Sequence, residues 1–379
     1  MDFNPTYQAE IKRKKEFLSL GLREYSNSRN YDYGPNKRHN VSGLSPYVNN
    51  GLIDIADLAQ ECIDLYGERN VDKYVSELFW GVYWKGYLEL RPTIWTSFKN
   101  DLENLSDYKK SESYKKAVNG LTCISCFNDW VDELKKYNYL HNHTRMWFAS
   151  IWIFTLKLPW QLGAAFFLEY LYDGDVASNT LSCRWVAGIH TKNKAYFASA
   201  ENIQKYSSKT VSQHLLNLDC YVPKEEKNHE VFPLDLEPLN NENYEILIVF
   251  DSSLGIKVLS CHAKKFKEIY FVISDNKHRS LKLDKKVINF KRKLGEDFIN
   301  RVANQYDIKT IELENLDDRF IGSSAIYPNV GDICDYVKGL SLKYIYSKLD
   351  ILSIPKCDAG YFKFKKSIHS FIEKVESHV

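Results

Sequence analysis

No segment of this chain is apolar for long enough to cross a bilayer as a helix. Such a helix needs about 20 consecutive apolar residues, and the longest candidate, Met146 to Leu156, is stopped by Lys157. The opening residues, MDFNPTYQAEIKRKKEFLSL, place charges where a secretory leader needs an unbroken apolar core. Both absences argue against membrane insertion and export, so the chain is expected to be soluble and cytoplasmic. Glycine and proline are scarce, 17 and 10 in 379 residues, which excludes fibrous and low-complexity architectures. Charge of one sign is missing too. With 51 basic against 49 acidic side chains, a polyanionic partner has to be met by a local patch rather than by the whole surface.

The eight cysteines are scattered, without the dense spacing of a disulfide-stapled domain, and fit reduced thiols. Cys123 and Cys126 form one CxxC without a second pair, and His141 and His143 lie closer together than the roughly three to five intervening residues of zinc motifs. The two cysteines are therefore read as small packing residues, and no metal site is expected. No GxGxxG or GxxxxGK[ST] follows the first strand of the C-terminal half, where DSSLGI stands, so a phosphate cradle is unsupported there. Ring surface, in contrast, is plentiful: 26 Tyr, 20 Phe and 8 Trp among 44% hydrophobic residues, enough for two sizeable cores.

The two halves follow different periodicities. From about residue 50 to 215 apolar residues recur at helical spacing, as in Ile53, Ile55, Leu58, Ala59, Cys62 and Leu65; residues 1–220 are expected to form a mostly helical domain. The stretch VPKEEKNHEVFPLDLEPLNNEN carries Pro223, Pro233 and Pro238 among charges. Neither helix nor central strand can run through it, and residues 221–243 are read as a linker. Beyond it, strands are expected at Ile246–Phe250, Ile269–Ile273, Ile308–Ile311 and Tyr344–Tyr346, with a helix from Lys285 to Asn304. This alternation predicts a smaller α/β domain over residues 244–379, built on a parallel sheet with crossover helices.

The densest chemistry lies between Leu140 and Asn202. An apolar helix carries His141, Asn142, His143 and Arg145 in its first turns, and a loop beyond it holds Asp173, Gly174, Asp175 and Asn179. Burying Arg145 or Asp173 alone is costly. Paired, they either orient two segments or line a cavity for a polar aromatic ligand, and the pattern leaves both readings open.

Four ordered motifs follow one another here: His141-Asn142-His143-Thr144-Arg145-Met146, Leu158-Pro159-Trp160, Asp173-Gly174-Asp175-Val176-Ala177-Ser178-Asn179 and Val186-Ala187-Gly188. They resemble the HNxxRM, LPW, DGDxAsN and VAG pattern of the flavin-binding domain of the photolyase and cryptochrome family. Upstream, VSGLSPY from Val41 to Tyr47 resembles the family's TSxLSPYL loop, and SELFWGVYWK from Ser76 to Lys85 its SELxWREFY helix. The resemblance spans roughly residues 25 to 215 and implies an α-helical FAD-binding domain of photolyase/cryptochrome type.

It also implies roles residue by residue. Ser42, Gly43, Leu44 and Ser45 would offer N–H and hydroxyl groups to the FAD pyrophosphate at a helix start, with Tyr74 beside them in the cofactor site. Arg145 and Asp173 would pair beside the isoalloxazine. Gly174 and Asp175 would line it, Asp175 accepting from it, and Asn179 would face its N5. Glu77, Trp80, Asn142, Met146 and Trp185 fall on positions that touch the lesion in members repairing cyclobutane pyrimidine dimers. The two indoles would receive a flipped base while Glu77 and Asn142 hydrogen-bond its edge. Members that repair the (6-4) lesion carry a histidine in place of Asn142, so Asn142 favours the cyclobutane dimer. Trp95, Trp130, Trp147 and Trp152 read as core. The implied activity is that of a deoxyribodipyrimidine photo-lyase: blue-light-driven repair of UV-damaged DNA by electron transfer from reduced FAD.

The chain departs from the family in three places. Cys183 stands where the family's electron-hopping chain has its tryptophan nearest the flavin; Trp160 keeps the middle position, and the outer one falls near Asp107 and Tyr108. Gly81-Val82 replaces Arg-Glu after Trp80. That loss of a DNA-facing charge weakens the case for duplex DNA and strengthens that for single-stranded DNA, or for a cryptochrome-like receptor with a protein partner and no repair. Finally, the α/β region follows the flavin domain, and the family's WFRRDLRLxDN signature is missing. Residues 244–379 are read as an antenna-like domain moved to the C-terminus, with an unrelated fused domain close behind and the second antenna chromophore unidentified. Lys12, Arg13, Lys14 and Lys15, with Arg29, Lys37 and Arg38 further on, are either phosphate contacts or solvated faces.

Overall fold

The computed structural model describes residues 3–191, 194–216, 223, 228–234, 236, 244–262 and 265–376. Most of the expected linker, Pro238 included, lies outside the described residues, as does Cys220 just before it.

Polar caps set the helix starts of the N-terminal half. Thr6 caps α1 (Tyr7–Glu16). The Asp54 carboxylate accepts the Ala56 and Asp57 N–H groups at 2.9 and 3.0 Å to start α2 (Ile55–Tyr66), and Gly67, with φ of 79°, turns the chain into α3 (Glu68–Glu89). Next come α4 (Thr93–Asn104) and α5 (Ser125–Tyr137), which ends on left-handed Asn138. Helix α6 (Asn142–Ser150) continues as a wider π turn over Ile151–Thr155. Lys157, at φ of 54°, and Pro159 then stop the apolar run and release the chain into α7 (Trp160–Tyr170). Asp175 caps α8 (Val176–Val186). Trp95, Trp130, Trp147 and Trp152 are fully buried in the core these helices share. Each removes roughly 200 Å² from water, a gross gain of about 5 kcal/mol before conformational entropy is counted. Cys126 joins that core, but Cys123 is exposed. It falls in the bend before α5, where Asn128 holds the Thr122 backbone and hydroxyl, so only one of the two cysteines packs.

The C-terminal half is built from β1 (Tyr244–Phe250), α9 (Ile256–His262), β2 (Phe266–Val272), α10 (Lys285–Tyr306), β3 (Lys309–Leu313), β4 (Ser324–Ile326), α11 (Asp332–Val337) and β5 (Lys343–Ile345). All pairings are parallel, in the order β3-β2-β1-β4-β5. Alternation along β1 splits its side chains between two cores. Leu247 and Val249 join the large core shared with the N-terminal half, while Ile248 and Phe250 pack with Val272, Ala325 and Ile333 on the other face. Gly295 of α10 lies against the Phe271 ring, with no room for a Cβ, so the helix seats directly on β2.

After β5 the chain leaves the sheet. The segments α12 (Lys348–Ser353), α13 (Tyr361–Lys365) and α14 (Ile368–Glu376) pack back on α2 and α3. Tyr83 donates to the Ala359 carbonyl at 2.9 Å, Arg91 to the Asp358 carbonyl at 2.7 Å, and Lys365 pairs with Asp72 at 2.9 Å. The sheet is tied to the helical half through Glu89, which accepts from Tyr327 Oη at 2.6 Å and the Val330 N–H at 2.8 Å. No described helix is long and apolar enough to cross a membrane.

Candidate functional site

The loop between α7 and α8 is held by side chains from two other segments. Arg145, one turn into α6, reaches Asp173 Oδ2 at 2.8 Å, and its Nε donates to the Leu140 carbonyl at 3.0 Å. Ser45 Oγ donates to the same Asp173 oxygen at 2.5 Å. Asn49 Nδ2 donates to the Asp173 carbonyl at 2.7 Å and to Asp175 Oδ2 at 3.3 Å. The LSPY turn, the first turns of α6 and the DGD loop thus converge on one buried carboxylate. Asp175 thus has two partners in the protein, the Asn49 amide on Oδ2 and, on Oδ1, the Ser178 N–H at 2.9 Å, which caps α8. Tyr74 is sealed by Phe17 and Tyr25 and faces Ser42; burial pushes its hydroxyl pKa up. His141 caps α6 by accepting the His143 N–H at 3.2 Å, and burial pushes it down to about 4 against the pull of Asp32, so it is neutral.

Among the described residues, several buried polar atoms around this cluster have no hydrogen-bond partner in the protein, among them Tyr74 Oη, His141 Nε2 and, beside the ion pair, the two atoms Asp173 Oδ1 and Asn179 Nδ2. Each costs on the order of 1–3 kcal/mol unless satisfied. Of the last two, one is an acceptor and the other a donor, next to a buried ion pair. That combination fits a heterocycle with both N–H and ring-nitrogen or carbonyl groups, and a flavin has them. Gly174 leaves Asn179 room: a Cβ there would lie 3.4 Å from Asn179 Nδ2 and 3.1 Å from the Leu171 carbonyl.

The expected base-receiving residues sit on three helices. Glu77 and Trp80 are half-buried on α3, Asn142 is exposed and Met146 half-buried on α6, and Trp185 is half-buried on α8. Helix α8 packs against both others. The segment Arg29–Asn30 spans the gap between α3 and α6, since Arg29 lies 3.8 Å from Glu77 and the Asn30 carbonyl 3.0 Å from His143 Nδ1. Tyr196 stacks on Trp185 and reaches His143 at 3.5 Å. Trp80 is also stacked, at 3.5 Å between ring centroids and 11° between planes, by Tyr361 of α13. One face of the candidate base platform is therefore already covered by the chain's own C-terminal segment. Nothing in the sequence signals this, because the contact joins residues 281 positions apart only through the tertiary fold.

Trp160 and Cys183 are both buried, on packed helices α7 and α8. Trp160 stacks on Phe98, which stacks on Trp95. Asp107 and Tyr108, where the outer tryptophan was expected, lie in a short turn, and Tyr108 packs against the core. The basic residues separate. Arg38 is buried and bidentate to Asp32 at 2.8 Å, with Glu133 at 2.6 Å, so it is a structural cation and not a phosphate contact. Lys14 pairs with Glu61 at 2.9 Å, Lys12 and Lys15 are exposed, and Arg13 turns inward to the Gly43 carbonyl at 3.2 Å.

A feature without any motif lies between the halves. A cavity of about 70 Å³ opens beside the C-terminal ends of β1 and β4, where the strand connections leave in opposite directions, a common ligand position in open α/β sheets. Lys85, Glu89, Asp175, Ser252, Arg279 and Lys291 are among its lining residues. Arg279 pairs with Asp251 at 3.2 Å, and burial pushes Glu89 up to about 7 although Tyr327 and Val330 hydrogen-bond it.

Residues 74–227 match the family described as the FAD binding domain of DNA photolyase. The deoxyribodipyrimidine photo-lyase of Buchnera aphidicola subsp. Baizongia pistaciae is 24% identical over 62% of this chain and 54% of its own. That of Streptomyces griseus is 30% identical over 41% of this chain and 33% of its own. A bacterial class III photolyase from Agrobacterium tumefaciens, of known crystal structure, aligns over 52% of this chain and 42% of its own, with 22% identity and a TM-score of 0.45. The chain thus spans about half the length of these relatives or less. The match over residues 74–227, with the photo-lyase relatives, makes the helical half of this chain similar to the FAD-binding domain of DNA photolyase, in keeping with its motifs.

Proposed function

We propose that this chain binds FAD in the cluster around Asp173 and Asn179 and, in blue light, splits cyclobutane pyrimidine dimers in DNA. The observation that carries the reading is the pair of buried, partnerless polar atoms, Asp173 Oδ1 and Asn179 Nδ2, beside the ion pair with Arg145. Such atoms call for a partner, and a bound flavin with an N–H and a ring acceptor would supply one to each. Bound FAD supplies light absorption and, when reduced, the electron that the lesion accepts. The protein's own residues bind and orient. The Ser42–Ser45 loop receives the pyrophosphate, Arg145 and Asp173 fix the ring edge, and Asn179 presents its amide to the ring nitrogen. Trp80 and Trp185, the indoles left half-exposed when the six others are buried in the core, offer flat surfaces to the extruded dimer, and Glu77 and Asn142 hold its edge. The substrate is UV-damaged DNA, with a single strand better served than a duplex because no cation stands at Gly81 or Val82.

A second reading has its own observation. Tyr361 stacked on Trp80 covers part of the base platform, as suits a light receptor that signals to a protein partner through its C-terminal helices. One experiment decides. Purified, chemically reduced protein is illuminated anaerobically with blue light, together with dimer-containing oligonucleotides, single-stranded and duplex in parallel, after bound flavin is confirmed by its spectrum. Light-dependent repair, lowered in Glu77→Ala and Trp80→Ala with flavin retained, supports the enzyme. Bound FAD without repair moves the reading to the receptor.

A further inference from the structure

The VSGLSPY loop has a cation supplied from outside it. Gly43 has φ of 57°, and a Cβ built on it would lie 2.3 Å from Arg13 Nη2 and 2.6 Å from Arg13 Cζ. The guanidinium of α1 therefore fills the space that a side chain at position 43 would claim. Its Nε donates to the Gly43 carbonyl at 3.2 Å, and its Cζ lies 5.7 Å from the Phe3 ring centroid. The neighbours Lys12 and Lys15 stay in solvent and Lys14 binds Glu61, so one member of the basic run alone is turned to this loop. The loop's own residues offer N–H and hydroxyl groups but no charge, whereas a pyrophosphate carries two negative charges. A guanidinium is the side chain best shaped for them.

We infer that Arg13 is a cofactor-binding residue, the cation that pairs with the pyrophosphate of the bound dinucleotide and makes the site prefer FAD to a phosphate-free flavin. The inference rests on the FAD reading above and deepens it. Gly43 is then required twice, for its left-handed backbone and for the space it yields to Arg13.

The test is a binding titration of FAD and of riboflavin, followed by flavin fluorescence, on wild type, Arg13→Ala and Arg13→Gln. Arg13→Gln keeps an amide donor without charge, should Arg13→Ala fail to fold. The expected result is a loss of FAD affinity of about 10- to 100-fold, the range for one charge-assisted hydrogen bond, with riboflavin affinity unchanged and the salt dependence of FAD binding reduced. Equal losses for both flavins would overturn the inference, since they mark a merely structural residue. Unchanged FAD affinity would overturn it too. A wild type that binds riboflavin but gains nothing from the pyrophosphate refutes the role of Arg13 alone, while a wild type that binds neither flavin refutes the FAD reading itself.

Discussion

Replacing Arg38 by alanine should destabilise the protein by about 3–5 kcal/mol, the usual consequence of removing one partner from a buried ionic cluster. Arg38 Nε and Nη2 each lie 2.8 Å from an Asp32 oxygen, Nη2 is 2.6 Å from Glu133, and the side chain is 1% exposed. Asp32 also accepts from Thr144 Oγ1 at 2.6 Å and from the Gly34 N–H at 2.9 Å. The alanine variant would leave two carboxylates buried together, and the segment carrying Asp32 would lose its tie to Glu133 of α5. The pH dependence follows with a definite sign. Burial alone would raise the Asp32 pKa, but the hydrogen bonds and charge of Arg38 outweigh it and hold the group at about 2, below its ordinary 3.8. A depressed carboxyl contributes stability that is complete above about pH 4 and is lost as pH falls toward 2. The shift corresponds to about 2 kcal/mol. Urea unfolding of wild type between pH 7 and 2.5 should show that loss, and Arg38→Ala should show little of it, because burial then raises the Asp32 pKa against only the weaker pull of His141 and Thr144. If Arg38→Ala unfolds with less than about 1 kcal/mol of change and instead weakens the salt dependence of DNA binding, Arg38 is a phosphate contact and the buried-cluster argument fails.

Three further outcomes are expected. Burial lowers Lys291 to about 8, so stability should rise from pH 8 toward its ordinary 10.5. Lys291→Met should flatten that rise and stabilise the protein at pH 7 by about 2 kcal/mol, measured by denaturant unfolding across that range. Cys183→Trp should speed flavin photoreduction, read as bleaching of the oxidised flavin band under blue light, at a packing cost of about 1–3 kcal/mol in a fully buried site. Tyr361→Ala should uncover Trp80, raising the quenching of tryptophan fluorescence by acrylamide and tightening binding of a dimer-containing single strand several-fold.

Much of the frame was legible before any coordinates, for physical reasons that differ from element to element. Helix α10 and strands β1, β2, β3 and β5 announce themselves by periodicity, because each must bury an apolar stripe or run against a neighbour. Strand β4 does not. Its three residues, Ser324, Ala325 and Ile326, contain no apolar run, and they become a strand only because β1 and β5 offer backbone partners on both sides. The pairing of Arg145 with Asp173 could be anticipated because two isolated buried charges are costlier than one pair. Asn49 could not, since an asparagine next to SPY looks like any turn residue until its amide is seen bridging the Asp173 carbonyl and Asp175.

The same distinction explains the basic run at Lys12–Lys15. Four consecutive cations read as a surface, and charge alone gives no way to rank them. A helix, however, turns successive residues by about 100°, so a run of four necessarily points in four directions. Once the π turn at Phe17–Gly21 fixes where α1 ends against the core, Arg13 alone is aimed at Gly43 and Lys14 at Glu61. The register of that helix turns one cation of a featureless run into a partner for the phosphate loop, and substituting Lys12 or Lys15 should leave FAD affinity untouched where Arg13→Ala does not.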